Sequence, residues 1–139
     1  MANYTITPAD VVKATVDGIS PVIVKLIAGG TITAGEGIAK NEADSLAYIN
    51  DASDTDIDFF TGLALNSATA GQPIDIITGG YVTVSAVGTA GDVVVMSQTA
   101  GKIAPHDDLV ATDEVAIFGY FISTSVIKVA INNLGIAKG

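Results

Sequence analysis

Along this chain the apolar residues fall in short, β-branched runs separated by glycine-rich breaks, and few segments carry a helical period. Runs of this kind predict strands. They lie at Val22–Ile27, closed by Gly29-Gly30, then at Leu46–Ile49 and Gly62–Leu65. Ile74–Ile77 and Tyr81–Val84 flank Thr78-Gly79-Gly80, a spacing that predicts a hairpin with its glycines in the turn. Val93–Met96, Val115–Ile122 and Val126–Ile131 complete the set. The N-terminal region differs. Thr7 suits an N-cap, Pro8 the first helical position and Asp10 the first turn, which predicts a short helix through Val11–Ala14 that ends near Asp17-Gly18. Val11, Val12 and Val16 are poor helix formers, so a strand over Thr15–Ile19 competes with that reading. The expected fold is mainly β: one compact barrel-like or sandwich-like domain over residues 1–139 with one short N-terminal helix.

Thr-Ala-Gly occurs four times, at Thr33-Ala34-Gly35, Thr69-Ala70-Gly71, Thr89-Ala90-Gly91 and Thr99-Ala100-Gly101. A polar residue follows each copy: Glu36, Gln72, Asp92 and Lys102. The irregular spacing excludes a solenoid, and the pattern predicts a recurring turn whose glycine takes a positive φ or permits a close backbone approach.

Composition sharpens this picture. The chain of 139 residues is 49% hydrophobic and only 15% charged, with a mean hydropathy of +0.52. That apolar surface must be hidden in a strand-filled core or against other molecules. The net charge is −9, from fifteen acids against six lysines and no arginine. An acidic surface without the guanidinium groups that read phosphates and bases argues against nucleic acid as a partner. The absence of cysteine removes disulfides, thiol nucleophiles and thiolate metal sites. No apolar run approaches the roughly 20 residues of a membrane helix. Met1-Ala2-Asn3-Tyr4-Thr5 carries no basic region, so neither a secretory leader nor a membrane partner is expected.

No chemistry stands out. His106, in Ala104-Pro105-His106-Asp107-Asp108, has acids beside it but no Gly-x-Ser-x-Gly elbow in the chain. Asp54-x-Asp56-x-Asp58 imitates the start of a calcium loop, yet Phe59 stands where glycine is needed and Leu65 where the bidentate acid belongs. Gly35-Glu36-Gly37 lacks the third glycine of a dinucleotide loop. Neither a catalytic set, nor a metal, nor a cofactor is expected, and the chain reads as a non-enzyme. The polar segment Glu42–Phe60 reads as an exposed acidic loop around one short strand.

Several pieces together resemble the small capsid decoration, or cement, proteins of tailed bacteriophages. They are Gly35-Glu36-Gly37-Ile38-Ala39, Gly62-Leu63-Ala64-Leu65-Asn66-Ser67-Ala68, Ala70-Gly71-Gln72-Pro73-Ile74-Asp75-Ile76, Gly91–Val95 and Gly101-Lys102-Ile103-Ala104. The resemblance implies a β-tulip-type domain on the exterior of the virion, made in the host cytoplasm. Such a protein binds the major capsid protein, clusters as a homotrimer on the shell and opposes the pressure of packaged DNA. It further implies an N-terminal arm over residues 1–7 that reaches the capsid, with Tyr4, Thr5 and Ile6 as contact residues; for Tyr4 and Ile6, pairing with a strand of their own domain is the competing reading. A receptor-binding or glycan-binding module of a phage fibre or head spike, reading its ligand with Glu42–Phe60, is the alternative. A small β-barrel enzyme is the third reading.

Overall fold

In the computed structural model, residues 3–106 and 114–137 are described. They form ten strands: β1 Val12–Ala14, β2 Val22–Ile27, β3 Gly37–Lys40, β4 Ala47–Ile49, β5 Gly62–Ala64, β6 Pro73–Thr83, β7 Val93–Met96, β8 Ile103–Pro105, β9 Glu114–Phe121 and β10 Val126–Ala137. All belong to one curled antiparallel sheet, a half-barrel ordered β4-β3-β5-β6-β10-β9-β7-β8, with β1 and β2 also paired to β6. The mainly β expectation holds. The N-terminal helix shrinks to a single 3-10 turn, Pro8–Asp10, and the chain from Val12 is already strand. The reason is the one that made the helix doubtful: valines prefer a pleated surface, and β1 finds one along Thr83-Val82-Tyr81.

β6 organises the molecule. The hairpin expected at Thr78-Gly79-Gly80 is absent, because the strand runs through those residues for eleven positions. Its first part lies between β2 and β5, and its second between β1 and β10. The glycines bend it rather than reverse it. Gly80 has φ +84°, and a Cβ there would stand 2.8 Å from the Pro21 Cα. Beside it the pairing with β2 slips between Val22↔Gly79 and Ile23↔Ile77, which is the signature of a bulge at Thr78.

Side-chain alternation on β5 and β6 then gives two cores on opposite faces. Leu63 and Ile77, directly opposite one another, join Phe118, Phe121, Val82, Val94, Met96 and Ile127 in the larger core. Their sequence neighbours Ala64 and Ile76 turn the other way, onto Ile38, Ala47, Ala28 and Ile74. The high Ala, Val and Ile content is used here, where β5 and the adjoining part of β6 are covered on both sides.

The Thr-Ala-Gly copies are turns, as expected, and all four glycines have positive φ, between +76° and +95°. In each, the N–H of the following polar residue donates to the threonine C=O, at 2.9 to 3.1 Å. That bond with glycine third is the arrangement of a type II turn. In three copies the polar side chain closes the turn a second time. Glu36, Gln72 and Asp92 accept the N–H of Thr33, Thr69 and Thr89 at 2.6, 2.8 and 3.0 Å. Lys102 cannot accept, and there the Thr99 N–H donates to Ser97 Oγ instead.

Gly71 isolates the backbone requirement, since a Cβ there would meet nothing within 4 Å. Gly71→Ala should therefore cost about 1–2 kcal/mol from the left-handed conformation alone. Gly30→Ala, equally open and without positive φ, should cost nothing. Urea midpoints of the two variants check the difference.

Candidate interaction surface

Tyr4, Thr5 and Ile6 lie along a segment tied into the domain. The Tyr4 N–H donates to the Ile103 C=O at 2.9 Å. Its ring is buried and meets Phe121 edge-on, with centroids 5.2 Å apart, and its hydroxyl donates to Asp92 Oδ2 at 3.4 Å. Ile6, two residues on and half-buried, packs against the same core and beside Gly35. Thr5, between them, faces solvent. The Thr7 N–H donates to Ser85 Oγ, and the Ser85 hydroxyl donates to Asp10 Oδ2, both at 2.8 Å. Within this chain, the two apolar residues of the expected contact set thus point inward.

This segment walls a cleft of about 440 Å³ whose other side is made by two of the Thr-Ala-Gly turns, through Thr33–Glu36 and Lys102. The Glu36 carboxylate is already engaged by the Thr33 N–H. The fully buried Asn50 amide, which has no hydrogen-bond partner among the described residues, is not part of the cleft lining. His106 borders a shallower depression with Asp92 and Pro105, and its expected neighbours Asp107 and Asp108 lie outside the described residues.

Asp44, Asp51 and Asp54 of the acidic loop use their carboxylates within the loop. Asp44 accepts the Tyr48 hydroxyl at 2.6 Å and the Leu46 N–H at 2.9 Å. The Tyr48 hydrogen bond, then the backbone one, hold the Asp44 carboxyl below its usual range, and the same bond pushes the Tyr48 phenol up. Asp51 accepts both the hydroxyl and the N–H of Ser53, which lower it likewise. Asp54, first of the calcium-like triplet, accepts the Asp56 N–H at 3.0 Å. These are Asx turns, and no group of three acids or histidines able to hold a metal occurs among the described residues. The loop is clamped from afar by Asn133, whose amide accepts the Phe60 N–H at 2.8 Å and donates to the Phe60 C=O at 3.0 Å. Nothing in the spacing of residues 60 and 133 could have revealed that clamp.

Surface apolarity is the feature that singles out a site. Of the eleven large hydrophobic side chains exposed among the described residues, six lie in one stretch: Val12, Ile19, Val22, Ile23, Val24 and Ile27. No residue from Val12 to Ile27 is buried. β1 and β2 line successive parts of β6 in the same direction, joined by a tight hairpin tip at Asp17-Gly18, both with positive φ. A second, smaller group sits on β7 and β9, where Val93 and Tyr120 are cross-strand partners, with Ile122 just beyond. An unbroken apolar run usually marks a strand covered on both faces, whereas β2 is exposed at every position but Leu26, which is half-buried against the smaller core.

No helix among the described residues is long and apolar enough to cross a membrane. The chain matches no protein-family model, and no curated protein is found to be similar to it.

Proposed function

We propose that this chain is a non-catalytic structural protein that binds the outer surface of a mature phage capsid and stabilises it against the pressure of packaged DNA. Its partner is the major capsid protein, and copies gather in threes on the shell. The observation that carries this reading is the concentration of exposed apolar side chains on β1 and β2, with a separate group at Val93 and Tyr120. A subunit fitted among many identical neighbours needs more than one contact surface, and apolar patches with few charges are the form such surfaces take. The resemblance of the Gly35–Ala39, Gly62–Ala68 and Ala70–Ile76 segments to decoration proteins supports it from the sequence side. The acidic balance keeps free copies soluble until they meet the shell.

The test is to mix the purified protein with undecorated, expanded shells of the phage that carries it, and to count bound copies by sedimentation and gel densitometry. Saturation in register with the three-fold positions, together with shells that resist heat better, is the expected result. Shells that sediment bare would remove the reading and leave a fibre or spike module, for which glycan-array binding is the next measurement.

A further inference from the structure

The sheet ends at four strands, β8, β4, β1 and β2, and the chain covers the edges of the first two. Beyond β8 lies Asn3-Tyr4, joined by the Tyr4 N–H to the Ile103 C=O and by the Ser97 hydroxyl to the Asn3 side chain. Beyond β4 lies Ala28-Gly29: the Gly29 N–H donates to the Ala47 C=O at 2.8 Å, and Ala28 bridges Ala47. The outer edge of β2 has no strand partner among the described residues. Folded proteins normally blunt such an edge, and here it carries Val22-Ile23-Val24-Lys25-Leu26-Ile27.

The side chains show what kind of partner is missing. Val24 and Leu26 stand on the same face as their cross-strand partners Ile76 and Ile74, which are fully buried in the smaller core. Val24 nevertheless remains 40% exposed. The wall of that core therefore ends at β2, and one more strand would complete it. Lys25 points to the other face, where Asp75 holds its ammonium at 3.5 Å.

We propose that this strand is β2 of a second copy, paired antiparallel about a two-fold axis normal to the sheet. Two properties of the edge favour a copy of itself. Antiparallel pairing about such an axis sets a residue against its own counterpart and keeps equivalent faces on one side. Centred on Val24, it places valine against valine, Val22 against Leu26 and Ile23 along the aliphatic stem of Lys25, so every cross-strand pair is apolar on contact. Charge gives the second reason. The stretch Val12–Ile27 holds two lysines and one aspartate in a chain of net charge −9. Two acidic copies meet there with little of the repulsion that their other surfaces impose. The contact leaves the Val93–Tyr120 group free for a shell, and a two-fold link of this kind would join neighbouring clusters of three. It does not depend on the capsid reading.

The experiment is sedimentation of the full chain over a concentration series to about 100 µM, with hydrogen exchange at each end of the series. A monomer–dimer equilibrium is expected, with amides in Val22–Ile27 gaining protection as dimer forms. Val24→Lys, which sets two ammonium groups opposite each other, should weaken the dimer at least about tenfold. Val22→Lys, at a more exposed position, should act in the same direction. Circular dichroism melts identify any variant that fails to fold, and the hydrogen-exchange result on the unaltered chain then decides. A chain that stays monomeric throughout overturns the proposal, as does a dimer or trimer whose β2 amides stay unprotected. A dimer that ignores capsids keeps this inference and removes the proposed function, so the two fail separately.

Discussion

Gly119→Ala is expected to be the most damaging single-methyl change in the described part of the chain. A Cβ at Gly119 would overlap the Lys128 carbonyl oxygen and stand 3.0 Å from its carbon and 3.1 Å from the Ala130 nitrogen. All three atoms are backbone of β10, so no rotamer change relieves the clash. Gly119 sits mid-β9, opposite Val94 on one side and Val129 on the other. β10 slips in register just beyond, between Val129 and Asn132, which is how a bulged strand comes to lean on its neighbour. Restoring the distance means prising β10 from β9, and with it the wall that carries Phe118, Phe121, Ile127 and Val129. Overpacking that a side chain can absorb costs about 1–3 kcal/mol. This contact has nothing to absorb it, and a loss of about 3 kcal/mol or more is expected, a large share of the 5–15 kcal/mol that holds a typical domain. Urea unfolding reads it directly, and a midpoint matching the unaltered chain would show that β10 does not approach β9 so closely.

What the sequence disclosed of this fold was local, and what it concealed was pairing. The strands at β2, β7, β9 and β10 are marked by β-branched runs, and β4 and β5 by shorter apolar ones, because a pleated surface accepts such residues wherever it lies. The Thr-Ala-Gly turns are legible for the same reason, since Gly71 needs its positive φ whatever surrounds it. Thr78-Gly79-Gly80 has turn chemistry too, yet β2, β5, β1 and β10 hold it extended from both sides, and those partners lie outside any local window. β1 was obscured by a genuine helix-start signal that lasts three residues. β3 and β8 are four and three residues long, too short to separate from the glycine motifs before them. For the candidate surface the loss is sharper. The apolar run of β2 was visible, but a run cannot say whether it is covered, and exposure on β2 is the observation on which the proposed function rests.

The position of the N-terminal segment gives the second large effect. Phe121→Ala should cost about 3–5 kcal/mol, the range for removing a fully buried aromatic ring. Part of that loss should depend on Tyr4, whose ring meets Phe121 at an interplanar angle of 68°. A double-mutant cycle with Tyr4→Ala isolates the dependence: aromatic pairs of this geometry couple by about 0.5–1.5 kcal/mol. The loss on Tyr4→Ala would come from ring burial, because the hydroxyl bond to Asp92 at 3.4 Å is long. The coupling bears on function as well. If residues 1–7 were an arm that leaves the domain to reach a shell, Tyr4 would have to give up Phe121, the Ile103 carbonyl and the edge of β8 together. In free protein an arm already released would show additive losses and no coupling. Coupling of the expected size means that the arm is docked, so that extension would have to be driven by the shell against the same interactions that now close β8. It would also shift the search for the shell contact toward surfaces that are open from the start, such as Val12 and Ile19 or the Val93–Tyr120 group.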